Sequence, residues 1–104
     1  ATFEFTMGAH DRAIELLDEA IAQEPESFDA WLAKTEVHFD RDELDLSLAA
    51  AEKALALSPN DTHVNTSLSR IWMERGDKEK AEHFGAQARI LGWKVDLQND
   101  PSQK

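Results

Sequence analysis

Asp40, Asp42 and Asp45 place three carboxylates within six residues, a density at which a calcium loop could begin. Such a loop needs glycine at its sixth position for the sharp turn and a bidentate glutamate at its twelfth. Asp45 and Ala51 stand there, so the run reads as a solvated turn. His10, His38, His63 and His83 supply imidazoles, but no two are four apart and the chain has no cysteine to complete a zinc set. There is no glycine-rich phosphate cradle and no G-x-S-x-G elbow. Carboxylates are plentiful, and on an acidic surface that assigns no acid/base pair. Asn60-Asp61-Thr62 and Asn65-Thr66-Ser67 match the glycosylation acceptor pattern, which is empty without a secretory context. No catalytic constellation emerges, and no cofactor or metal is implied.

The charge narrows the partners. Residues 1–52 hold 14 acids and 3 bases, residues 53–104 hold 7 and 8, and the net charge is −10. Clustered Lys and Arg that would neutralise phosphates are absent, which argues against nucleic acid and against an anionic membrane surface. No apolar run approaches the roughly 20 residues that span a bilayer. The acidity reads first as a solubility device, while its asymmetry leaves open a basic partner on the amino-terminal half. The lack of cysteine suits a cytoplasm and a periplasm alike, and the cytoplasm is the expectation.

The elements that would position any site follow from a fixed step. Ala20, Ala54 and Ala88 are evenly spaced, and the same interval separates Pro25 from Pro59, relates Gly8, Asp42 and Gly76, and relates Ala13, Ser47 and Ala81. It is the 34-residue period of an array of helical hairpins, each burying its apolar face by stacking on a neighbour. Ala13, Ile14, Leu17, Ala20 and Ile21 fall on one face of a helix over 9–23. Further helices are predicted over about 28–40, 43–57, 62–75 and 78–91. Pro25, Asp40-Arg41-Asp42, Pro59 and Gly76-Asp77 are the breaks, Ser27 and Asp61 or Asn60 the caps, and Gly92 the last stop. Small residues such as Ala13, Ala20, Ala54, Ala81 and Ala88 would let helix backbones approach at crossings.

These residues resemble the tetratricopeptide repeat family. The likeness rests on Gly8, Ala13, Leu17, Ala20 and Pro25 in a first unit, incomplete, over about 1–27. It continues with Trp31, Leu44, Ala51, Ala54 and Pro59 over 28–61, and with Leu68, Ser69, Trp72, Gly76, Ala81 and Ala88 over 62–95. The resemblance implies an all-α fold, an α-α superhelix of antiparallel helix pairs with about two and a half to three repeats. It implies a repeat domain over 1–94 followed by a tail, 95–104. In the first unit it leaves Thr2 to Met7 as the end of one helix, with Gly8 between that helix and the next. Five residues of the second unit depart from the pattern. Lys34, Thr35, His38, Asp42 and Ser47 stand where Leu, a small residue, a large residue, Gly and Ala are expected. Either the helix is rotated so that Ala30, Ala33 and Val37 face the core, or Lys34 and His38 reach acids on a neighbouring helix, since a buried unpaired Lys is costly. Both ends look unfinished. An upstream segment, a partner or a second copy is expected over the first unit, and Trp93, Val95 and Leu97 are expected to fold back over the last helix.

In this family the first helix of each unit lines a concave groove. The resemblance places Phe5 there from the first unit, Asp29, Leu32, Glu36, Phe39 and Asp40 from the second, and His63, Ser67, Arg70, Met73 and Glu74 from the third. Phe5, Phe39 and Met73 occupy equivalent positions of successive units and fall in one column. They form either an apolar stripe for a ligand or packing between adjacent helices. The cationic clamp that holds the carboxylate of chaperone tails is missing, since the positions read Ala33, His63 and Ser67; Arg70 is expected to pair with Glu36 or Glu74. The implied function is a non-catalytic module that binds a protein or peptide, with Glu36, Asp40 and Glu74 selecting basic side chains. The alternative is a structural module that oligomerises through its uncapped ends.

Overall fold

Five helices follow one another in the computed structural model, which describes residues 2–99 and the side chains of residues 9–93. They are α1 (Thr2–Gln23), α2 (Phe28–Asp40), α3 (Leu44–Leu57), α4 (Thr62–Glu74) and α5 (Lys78–Asn99). The starts of α2, α4 and α5 are set by side chains that satisfy backbone donors no helical carbonyl can reach. Ser27 Oγ accepts from Ala30 N at 3.3 Å, Asp61 Oδ1 from Val64 N at 3.1 Å, and Asp77 Oδ1 from Lys80 N at 3.1 Å. Glu43 precedes α3 but directs its carboxylate elsewhere, to His38.

The repeat is visible in the hydrogen bonds as well as in the sequence. Asp42 and Gly76 both take left-handed backbone, with φ of 63° and 86°. In the first of these turns Asp42 N donates to Phe39 O and Glu43 N to His38 O; one repeat later Gly76 N donates to Met73 O and Asp77 N to Trp72 O. The proline turns are tied in parallel fashion by unlike side chains. Trp31 Nε1 donates to Pro25 O at 2.8 Å and Asn65 Nδ2 to Pro59 O at 3.1 Å. Arg41 with Asp11 and Arg75 with Asp45 form the same ion pair one repeat apart. Asp11 as hydrogen-bond acceptor raises the Arg41 pKa further, against the opposing effect of burial, and Glu43 adds to it.

Short turns make α2/α3 and α4/α5 antiparallel pairs, and these are the closest-packed partners. The pairs stack through α3 on α4 and α2 on α4, and α1 stacks alone on α2. The result is all-α, with two helix pairs preceded by a single helix. Stacking in a line gives a radius of gyration of 15.6 Å, against about 13 Å for a spherical chain of this size. The core lies where both pairs meet. Val64, Leu68 and Ile71 of α4 are fully buried against Ala51 and Ala54 of α3, with Phe28, Trp31, Leu32, Leu48 and Phe84 around them. Burying each large aliphatic side chain contributes about 1.5–3 kcal/mol.

The departures of the second unit are accommodated one by one. Lys34 Nζ reaches Asp18 on α1 at 2.8 Å, so the neighbouring-acid alternative holds. His38, 5% exposed, meets Glu43 Oε1 through Nδ1 at 2.9 Å. The carboxylate only accepts, so Nδ1 carries the hydrogen. Buried Thr35 donates to Trp31 O, and buried Ser47 donates to Thr35 O at 2.8 Å. Asp42 takes the left-handed turn that glycine takes in the third unit.

Several expectations need correction. The predicted break at Gly8 does not occur, because α1 runs unbroken from Thr2. Nor does α5 stop at Gly92. A helical glycine costs about 1 kcal/mol relative to alanine, too little to end a helix without a cap for the next one. Gly76 ends α4 because Asp77 follows it to cap α5. Since α5 continues, Trp93 does not fold back and is 65% exposed. The spaced alanines also differ in setting. Ala54 is buried, Ala88 half-buried and Ala20 exposed. Ala54 lies between its own pair and the next, whereas among the described residues no helix precedes that of Ala20 and none follows that of Ala88.

The two glycines give opposite expectations. Gly76→Ala forces a Cβ into left-handed backbone and should lower stability by about 1 kcal/mol. Gly92→Ala, in open helical backbone, should raise it by up to about 1 kcal/mol. Urea unfolding followed by circular dichroism reads both signs.

Candidate functional site

Stacking α2 beside α4 sets Phe39 of one helix against Arg70 of the other. Phe39, near the end of α2, is half-buried, and the Arg70 guanidinium lies 4.5 Å from its ring centroid. Phe39, Ser69, Arg70, Met73 and Glu74 surround a cavity of about 320 Å³. Met73 is 53% exposed at its edge. The structure thus joins Phe39, Arg70, Met73 and Glu74. Asp40 is exposed beyond Phe39, while Asp29 and His63 are exposed at the opposite ends of their helices and do not line the cavity. Leu32 packs against the core. The Phe5 side chain lies outside the described residues.

Two predicted residues are engaged within the fold. Ser67 is buried and donates to Glu36 Oε1 at 2.6 Å, a short charge-assisted bond. Glu36 Oε2 lies 3.8 Å from Arg70 Nη1. Glu36 is therefore the clasp between α2 and α4, and it holds Arg70 over Phe39. Among the described residues, Asp29, Asp40 and Glu74 form no ion pair, so the unpaired charge of the predicted groove set is acidic, beside the exposed Arg70–Glu36 pair.

A second cavity was not foreseen. It lies between α3, α4 and α5, encloses about 330 Å³, and has Leu48, Leu55, Leu68, Trp72 and Phe84 among its walls. On a 3.6-residue helix, Leu68 and Trp72 point away from Arg70 and Met73, so the two cavities occupy opposite sides of α4. The signal was present as Leu48, Glu52 and Leu55 at i, i+4 and i+7 along one face of α3.

Antiparallel helix pairs whose turns, locks and ion pairs recur at the interval of the sequence repeat define an α-helical repeat protein. A model of the tetratricopeptide repeat matches residues 4–62, more than half of the sequence, and the chain belongs to that family. No curated protein matches it. Repeats of this family mediate protein–protein interaction, binding proteins or peptides, and are in general not catalysts. Among the described residues no helix is long and apolar enough to cross a membrane.

The clasp can be checked directly. Glu36→Ala should cost about 1–2 kcal/mol, because it strands the buried Ser67 hydroxyl, while Glu36→Gln keeps an acceptor and should cost less. Denaturant midpoints of the two variants give the comparison.

Proposed function

We propose that this chain is an interaction module that receives an extended or helical peptide along the side formed by α2 and α4. Phe39 and Met73 are its apolar contacts, and Asp40 and Glu74, with Asp29 further along, favour basic side chains. The observation that carries this reading is the cavity between Phe39, Arg70 and Met73. It is an apolar hollow rimmed by charge, with Met73 half in solvent and no described side chain covering it. An exposed apolar patch with a polar rim suits recognition of a peptide. Glu36 acts here by positioning Arg70.

Selection from a random peptide library against the purified chain should yield sequences that pair an apolar residue with Lys or Arg. Their affinity should fall as salt screens the carboxylates. Met73→Ala should weaken binding about tenfold and change stability by less than about 0.5 kcal/mol. Phe39→Ala should lower both, because Phe39 also packs on the core. Unaltered binding by Met73→Ala would remove the groove reading.

The self-assembly reading has one observation in its favour. Ile90 and Trp93 are 46% and 65% exposed on α5, one helical turn apart. If copies associate through that face, mass measured by light scattering should rise with concentration and Trp93→Glu should abolish the rise. A concentration-independent monomer rejects it.

A further inference from the structure

The array contains the same junction twice, and the two differ in chemistry. At the first, α2 and α3 leave a hollow of about 170 Å³ lined by Trp31, Lys34, His38 and Leu46 among others. There Lys34 crosses to Asp18 on α1. At the second, the hollow is about 330 Å³ and its walls are Leu48, Leu55, Leu68, Trp72 and Phe84. One repeat on from Asp18, Lys34 and His38 stand Glu52, Leu68 and Trp72. The carboxylate is kept, but its cation has become leucine. Among the described residues Glu52 forms no ion pair and is exposed at the margin of the hollow.

We propose that this second hollow is a separate docking site for an apolar segment of a partner protein that carries a lysine or arginine. The apolar part fills the space between Leu55, Leu68 and Phe84, and the cation seats on Glu52 as Lys34 seats on Asp18 one repeat earlier. The opposite rim fixes the orientation. Lys80 and His83 of α5 line that edge, and the Lys80 ammonium, 4.2 Å from the Trp72 ring centroid, turns a ligand cation away from α5 and toward α3. The site lies on the far side of α4 from the Phe39–Met73 cavity and does not depend on it.

The test uses phenylbutylamine and phenylbutyrate, which share an apolar body and carry opposite charges. Each is titrated into the full isotope-labelled chain and followed by nuclear magnetic resonance. The amine should shift the Trp72 indole N–H and the signals of Leu55 and Phe84, and should bind about fivefold more tightly than the carboxylate, as expected for one charge pair near the surface. Glu52→Gln, at an exposed position, should erase that preference, and Met73→Ala should leave it intact. The proposal fails if neither probe shifts these signals, if the carboxylate binds as well or better, or if the preference survives Glu52→Gln. It also fails if the same signals move with protein concentration alone, which would assign the hollow to a second copy of the chain.

Discussion

How closely two helices can cross depends on what stands at the crossing, and here each pair crosses on a small residue bridged by one hydroxyl. In α2/α3 the bridge runs from Ser47 Oγ to Thr35 O; in α4/α5 it runs from Ser69 Oγ to Ala81 O, both at 2.8 Å. The same two positions are used in successive repeats, with the donor moved from the second helix of the pair to the first. A buried hydroxyl left unpaired would cost about 1–3 kcal/mol, so the bridge makes the polar substitution compatible with a close crossing. The turns, the stacking of α2 on α4 and the cavities beside α4 all depend on that approach.

Stacking supplies what a single pair cannot. A helix pair exposes one apolar side until the next pair covers it, so only the central junction is closed on both sides. Val64, Leu68 and Ile71 reach full burial there, because α4 is enclosed by α2, α3 and α5. Toward the outside an equivalent position opens up: Ala54 is buried, Ala88 half-buried and Ala20 exposed. The periodicity therefore describes equivalent backbone positions, while burial at each is set by how many neighbours the array provides.

Electrostatics follow the same division. Asp11 with Arg41, Asp45 with Arg75 and Asp18 with Lys34 join successive units across their junctions. Surface pairs of this kind contribute little each, yet they determine which carboxylates remain unpaired. Glu36 is consumed by the α2–α4 clasp, whereas Asp40, Glu74 and Glu52 are left beside apolar hollows. The surplus acid of the chain thus stands, at those places, beside apolar surface.

The sequence alone determined the helices, their register and the family, because a constant repeat step, prolines after the first and third helices and capping residues such as Ser27 and Asp61 act over a few residues of chain. It also pointed to Phe39 and Met73 as one column. It misjudged Gly8 and Gly92, since glycine weakens a helix without deciding whether another begins beyond it. Only the tertiary structure decided that Lys34 meets Asp18, that Glu36 is engaged by Ser67 and Arg70, and that an apolar hollow opens behind α4. Those outcomes depend on which side chain of a different helix arrives opposite, and local spacing along one helix carries no record of that.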